Sequence, residues 1–256
     1  MTVSDSDKPA AARPTIRRVP ALRPLHWLRE GWRDLLRHPG PSLVYGVLVT
    51  LGGWAALSLA LPHAEFFSSA VVGFVMVTPL IAAGVYELSR QCEQGLSPGF
   101  LDSVKALRRN AASIADYGVA LLLIGILWER VVAVMFALSY GGEMGSVKDF
   151  AAEVLFSGRY VGVVLAWFLS GAVMASVVFA ATAVGMPMVI DRDCDVVTAM
   201  LTSWRAVFAN LPAMAVWAGL IIGLSLLSIT TALVGLVVVM PLLGHATWCA
   251  YRDVVA

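Results

Sequence analysis

The chain has 256 residues, 59% of them hydrophobic and 14% charged, and its mean hydropathy of +0.81 lies well beyond that of an ordinary soluble domain. A water-soluble globule is excluded as its main body. The net charge of +1 gives no basis for a nucleic-acid partner, and what matters is where the charges sit.

Residues 1–20 are polar and rich in Ala, Pro and Arg, with neither the apolar core nor the small-residue cleavage site of a signal peptide. They predict a disordered cytoplasmic tail, and residues 21–256 predict a single all-α membrane domain. Leu22 to Arg37 opens that domain with an amphipathic helix. Leu25, Leu28, Trp32, Leu35 and Leu36 form one stripe, with Arg29, Glu30, Arg33 and Arg37 on other faces. Such a helix lies in the headgroup layer and does not cross it.

Six apolar runs predict six transmembrane helices, at about 42–61, 66–88, 111–140, 160–190, 212–228 and 231–251. The third and fourth runs are longer than a hydrocarbon core of about 30 Å requires, so they must tilt or project. A short amphipathic stretch between them, Val147, Phe150, Ala151, Val154 and Leu155, suits the outer surface.

The surface-helix pattern recurs twice, as Phe100, Leu101, Val104 and Leu107 with Lys105, Arg108 and Arg109, and as Val197, Met200, Leu201, Trp204 and Phe208 with Arg205. Aligned on these stripes, Arg33, Lys105 and Arg205 coincide, as do His38, Asn110 and Asn210, and then Tyr45, Tyr117 and Trp217. The even-numbered runs each hold a proline, Pro79, Pro187 and Pro241. The expected fold is therefore three repeated units, each an interfacial amphipathic helix followed by a helical hairpin whose second arm is proline-bearing. Each proline frees the carbonyl four residues earlier, at Val75, Ala183 and Val237, and neighbouring helices must satisfy it.

Of the 18 Lys and Arg residues, 15 fall on the side that holds both termini if the spans alternate. Only Lys148 and Arg159 fall in the opposite loops. The positive-inside rule then places the N- and C-termini in the cytoplasm. Arg29, Arg33, Lys105, Arg108 and Arg205 become candidate contacts to lipid headgroups. Membrane lipid is the expected partner, with another membrane protein or a second copy as further possibilities.

Charges and polar groups inside spans mark the places to look for function. Glu129 and Arg130 lie near the outer boundary beside Trp128, where an arginine snorkels to the headgroups; a transport gate is the alternative. Asp116, one turn inside the inner boundary, reads as a solvated carboxylate. The position four residues after each proline holds Ala83, Asp191 and His245. Asp191 and His245, with Glu87 one turn further out and Thr78 beside Pro79, form a candidate polar or transport site, since a His beside a carboxylate moves protons near neutral pH. The bland alternative is a set of polar groups that close helix ends.

Cys92, Cys194 and Cys249 lack C-x-x-C spacing and read as reduced thiols, and no metal or other cofactor is expected. The histidines are His26, His38, His63 and His245; only His245 falls inside a span, so two axial haem ligands cannot be assembled at membrane depth. No G-x-S-x-G, H-E-x-x-H, Walker loop or G-x-G-x-x-G occurs, and enzymatic activity is not expected.

Several motifs together carry a family resemblance. They are Arg23-Pro24-Leu25-His26-Trp27-Leu28 with Gly31-Trp32-Arg33-Asp34-Leu35, Gly84-Val85-Tyr86-Glu87-Leu88-Ser89-Arg90, Pro187-Met188-Val189-Ile190-Asp191-Arg192, Gly244-His245-Ala246-Thr247-Trp248 and Ala250-Tyr251-Arg252-Asp253. In combination they resemble the bacterial membrane-protein family called domain of unknown function 2189, over nearly the whole chain after Pro20. The resemblance implies the architecture and no activity. Family members commonly have His where this chain has Cys249, which argues against a metal site there. The leading expectation is a non-enzymatic accessory or scaffold protein; a small-solute or ion transporter is the rival.

Overall fold

A computed structural model describes residues 14–62, 64–139, 158–192 and 194–256. Most of the tail, His63, Lys148 and the expected outer-surface stretch at 147–155 lie outside the described residues. Helices account for nearly everything else, and the one β contact among the described residues is a bridge between Ile16 and Val255.

Among the described residues ten α-helices follow in order: α1 Arg23–Arg37, α2 Pro39–Ala60, α3 Ala64–Glu93, α4 Phe100–Leu107, α5 Ala111–Ser139, α6 Val161–Thr182, α7 Gly185–Asp191, α8 Val196–Ala209, α9 Leu211–Thr230 and α10 Leu236–Val254. A 3-10 turn, Arg108–Asn110, joins α4 to α5. Each short amphipathic helix thus runs straight into a long apolar one, with the joints at His38, Asn110 and Asn210. At two joints, Pro39 and Pro212 start the new helix, where a missing amide hydrogen costs nothing. His38 and Asn210 leave helical geometry, at φ −133° and −128°, so the axis turns there.

Among the described residues, five stretches are long and apolar enough to cross a membrane: Pro39–Ala60, Phe66–Glu93, Phe100–Met135, Val161–Asp191 and Leu211–Thr230. The expected sixth, α10, is not among them. Its second half carries His245, Thr247, Trp248, Tyr251, Arg252 and Asp253, and the helix buries twelve of its residues, from Leu236 to Val254. It occupies the middle of the bundle, packed by α1, α2, α3 and α9. The fourth run is likewise not one helix, because the chain breaks at 183–184, just ahead of Pro187.

Large apolar side chains point outward along the spans, including Leu122, Leu123, Leu127, Leu165, Leu169, Ile222 and Leu226, each more than half exposed. Only a hydrocarbon solvent makes that arrangement stable. Close helix contacts rest instead on small residues, as membrane packing requires. A Cβ on Gly31 of α1 would sit 2.6 Å from the Ala246 nitrogen of α10, and one on Gly84 of α3 would sit 2.1 Å from the Tyr45 ring of α2.

The surface helices follow the same logic. α1 buries Trp27, Gly31 and Leu35 against α10 while Leu25, Trp32 and Leu36 stay exposed. The single stripe expected from the sequence is therefore split between two faces, one docked and one free. On α4 the buried residue is Ser103, with Leu101 and Val104 exposed; on α8 Ala199, Ser203 and Ala206 are buried, with Val197, Leu201 and Phe208 exposed.

Candidate functional site

The polar residues of the spans collect at the end of the bundle where α1, α4 and α8 lie, and there they form three linked clusters. The deepest centres on His245, 1% exposed. Its Nε2 lies 2.9 Å from Ser42 Oγ on α2, and its Nδ1 lies 2.7 Å from Ser89 Oγ on α3. Ser42 also donates to the His38 carbonyl at 2.8 Å, so its one proton is committed. Nε2–H must then donate to Ser42, and Ser89 donates to Nδ1. The imidazole is neutral and fully bonded, and it ties three helices together.

Replacing His245 with Leu would leave the buried Ser89 hydroxyl without its acceptor, a loss of about 1–3 kcal/mol. A lower thermal midpoint for His245→Leu in detergent, partly recovered in His245→Gln, is the expected measurement.

The second cluster surrounds Glu87 of α3, which is completely buried. Its carboxylate accepts from Arg90 Nε at 2.8 Å and Nη2 at 2.7 Å, from Gln91 Nε2 at 2.6 Å and from Arg109 Nη2 at 3.2 Å. Arg109 also reaches the Ile190 carbonyl, and Asn110 Nδ2 donates to the Val189 carbonyl at 2.6 Å, so the turn after α4 is held to the end of α7. Two guanidiniums against one carboxylate make this a neutralised structural charge with no open coordination position.

Asp191 belongs to the third cluster. It accepts from Tyr251 Oη at 2.7 Å and from Arg252 Nη1 at 3.3 Å. Arg192 Nε donates to the same Tyr251 oxygen at 3.0 Å. Arg252 also pairs with Glu93 at 3.3 Å, and Glu93 accepts from Trp248 Nε1 at 2.9 Å. Asp191 therefore engages α10 at Tyr251 and Arg252, six and seven residues beyond His245. The expected Asp191–His245 pair is not what forms: each takes its own partners, because His245 faces α2 and α3 while Tyr251 and Arg252 reach α7.

A terminal clasp closes this end. Asp253 accepts from Arg23 Nε at 2.6 Å and Trp27 Nε1 at 2.8 Å. Residues 15–19, inside the stretch assigned to the tail, pair with the C-terminus: Arg17 N–H donates to the Val254 carbonyl at 2.8 Å and Ala256 N–H to the Thr15 carbonyl at 3.0 Å. Asn210 receives the Val19 N–H at 2.8 Å and donates to the Arg17 carbonyl at 3.0 Å. Burial pushes the Asp253 carboxyl up, but the bonds from Arg23 and Trp27 and the Arg23 charge outweigh it, leaving it below the usual carboxylate range. A depressed carboxyl stabilises the fold above its unfolded value and loses that contribution as pH falls through the folded value. The clasp is expected to hold at neutral pH and loosen only below about pH 4, seen as faster amide exchange at Arg17 and Ala256, and Asp253→Asn should remove that pH dependence.

The remaining expected residues lie apart. Thr78 bonds its own helix, donating to the Phe74 carbonyl at 2.6 Å. At the other end of the bundle, Glu129 accepts from Ser68 at 3.0 Å, Trp128 packs against Trp167 at 6.5 Å between ring centroids, and Arg130 is exposed. Arg29, Arg33, Lys105, Arg108 and Arg205 are all exposed on α1, α8 and the α4 segment. Pro79 and Pro241 sit inside α3 and α10, and Pro187 sits in the first turn of α7. Among the described residues, no group of three His, Cys, Asp or Glu side chains is placed to hold a metal ion.

Sequence reasoning missed Ser42, Ser89, Tyr251 and Asp253 as partners. Three of them stand inside the motifs that carry the family resemblance, a signal that was present. Ser42 had none beyond being the first polar residue of its run.

Residues 66–191 match the model of a family described as a predicted integral membrane protein, domain of unknown function 2189. The match covers 126 of the 256 residues. The matched stretch takes in α3 from residue 66 on and α4 to α7, with the Gly84–Arg90 motif, Asp191 and the whole of the Glu87 cluster. The match is narrower than the resemblance expected after Pro20, since α1 and α10 lie outside it. No curated protein and no solved structure matches the chain.

Proposed function

We propose that this integral membrane protein is a six-span, non-enzymatic accessory or scaffold protein of the bacterial inner membrane, with both termini in the cytoplasm. The observation that carries the reading is the use made of the polar groups. His245, Glu87 and Asp191 are engaged by neighbouring side chains, and the groups a transporter or enzyme would present to a ligand serve as joints between helices.

Parity supports six crossings. Residues 15–17 are hydrogen-bonded to residues 254–256, which favours both ends of the helical domain lying on one side of the membrane. That pairing favours an even number of crossings, and among the described residues α10 is available to supply the sixth. The positive-inside rule, applied to the 15 basic residues on that side, favours the cytoplasm. The joints at His38, Asn110 and Asn210, followed in each case by a long helix and a proline-bearing one, favour the threefold repeat.

Reporter fusions to both termini test the topology, and cytoplasmic readings are expected from each. The role is tested by complementing a deletion strain with Asp191→Asn and His245→Gln. A scaffold keeps its function in every variant that still inserts and folds, and it retains a co-purifying protein in mild detergent. The transporter reading draws on the chain break ahead of Pro187, next to Asp191; loss of function in a folded Asp191→Asn protein would favour it.

A further inference from the structure

Between α2 and α3, on the half of the hairpin away from the polar clusters, lies an open groove of about 470 Å³ lined by Val49, Gly52, Ala56, Gly73, Val77 and Thr78 among others. Thr78 and Ser69 are its only hydroxyls, and the Thr78 proton is already given to the Phe74 carbonyl. Just beyond Val49 and Ile81, the Tyr45 ring of α2 packs on Gly84 of α3 so tightly that a Cβ there would lie 2.1 Å from it. Behind the groove, Phe74 and Leu233 close on Gly53. Laterally it faces the hydrocarbon, and Gly52 and Gly73 have nothing within 4 Å of where a side chain would begin.

We propose that this groove is a binding site for one acyl chain of a membrane lipid from the leaflet opposite the polar clusters. Length and extent decide between a lipid chain and a helix. Val49 to Ala60 rises about 16 Å and Phe66 to Ile81 about 22 Å at 1.5 Å per residue, the reach of one acyl chain, whereas a transmembrane helix needs a seam along the full core of about 30 Å. The groove is lined by 13 residues, short of the roughly 20–30 per side that a stable protein interface uses. A flexible chain fits an apolar groove of this length, and it gains the dispersion contacts that an unfilled groove would forfeit.

The inference stands apart from the scaffold reading and needs only that the hairpin is in lipid. Full-length protein in vesicles of phosphatidylethanolamine and phosphatidylglycerol, doped with phosphatidylglycerol bearing a diazirine on its acyl chain, is irradiated, and label is mapped by peptide. The expected result is label on 49–60 and 66–81 enriched about tenfold over the lipid-facing α9 peptide, the occupancy ratio that a dozen extra dispersion contacts would produce. Gly52→Leu and Gly73→Leu fill open space without strain and should abolish the enrichment, while Gly223→Leu, on the exposed face of α9, should preserve it. Equal labelling of all three peptides, or enrichment that survives both filling variants, overturns the proposal. So does cross-linking of the groove to a second polypeptide in a matched protein-directed experiment with photoreactive residues at 52 and 73, because the occupant would then be a helix.

Discussion

Replacing Glu87 with Ala is expected to cost about 3 kcal/mol or more, the range for breaking a buried ion pair by removing one partner. The loss comes from what stays behind. Arg90, with only 15% of its side chain exposed, would keep its charge with no carboxylate to meet it, and Gln91 and Arg109 would lose an acceptor at the same time. Because Arg109 and Asn110 also hold the end of α7, the effect should spread to the carbonyls of Val189 and Ile190. Glu87→Gln retains an acceptor for these donors and should lose less. The double variant Glu87→Ala, Arg90→Ala should be less destabilised than the two single losses added, because it removes the uncompensated charge. Thermal or denaturant unfolding of the full chain in detergent, run as a double-mutant cycle, measures all four. Additivity across that cycle would mean that the pair is not coupled as its geometry indicates.

The long apolar helices were legible because their signal is local. Apolar runs marked α2, α3, α5, α6 and α9, and the aligned His38, Asn110 and Asn210 fell where surface helices turn into long ones. The site was legible only as a set of residue types at similar depth. Aligning on prolines puts Asp191 and His245 at similar depth, and depth leaves the rotation of each helix open. That rotation sends His245 toward Ser42 and Ser89 and puts Tyr251 and Arg252 opposite Asp191. Serines in apolar runs ordinarily bond their own helix, so nothing in the local spacing announces a partner 203 residues away. The apolar run of α10 predicts a span like the other five. A hydropathy pattern cannot distinguish lipid from neighbouring helices as the cover, and here the cover is α1, α2, α3 and α9.

Gly46→Ala should be among the most damaging single-methyl additions in the chain, at about 3 kcal/mol, the upper part of the usual range for overpacking. The Cβ would lie 2.0 Å from the Val237 carbonyl oxygen and 2.6 Å from its carbon. Those are backbone atoms, so no rotamer change makes room and α2 must move off α10. The location follows from Pro241, which has no amide hydrogen to give to the carbonyl four residues earlier, that of Val237. In lipid that oxygen has no water to turn to. Gly46 lets α2 approach closely enough for its Cα–H to face the oxygen, a weak but favourable contact. Gly52→Ala supplies the control on the same helix, since nothing lies within 4 Å of the new methyl. Alanine's higher helix propensity, about 1 kcal/mol over glycine, is the only term left there, so Gly52→Ala should be neutral or slightly stabilising. The two substitutions are chemically identical and six residues apart, and opposite shifts in the unfolding midpoint are expected. Equal shifts would mean that α2 does not approach α10 at Gly46, and that the carbonyl freed by Pro241 is satisfied elsewhere.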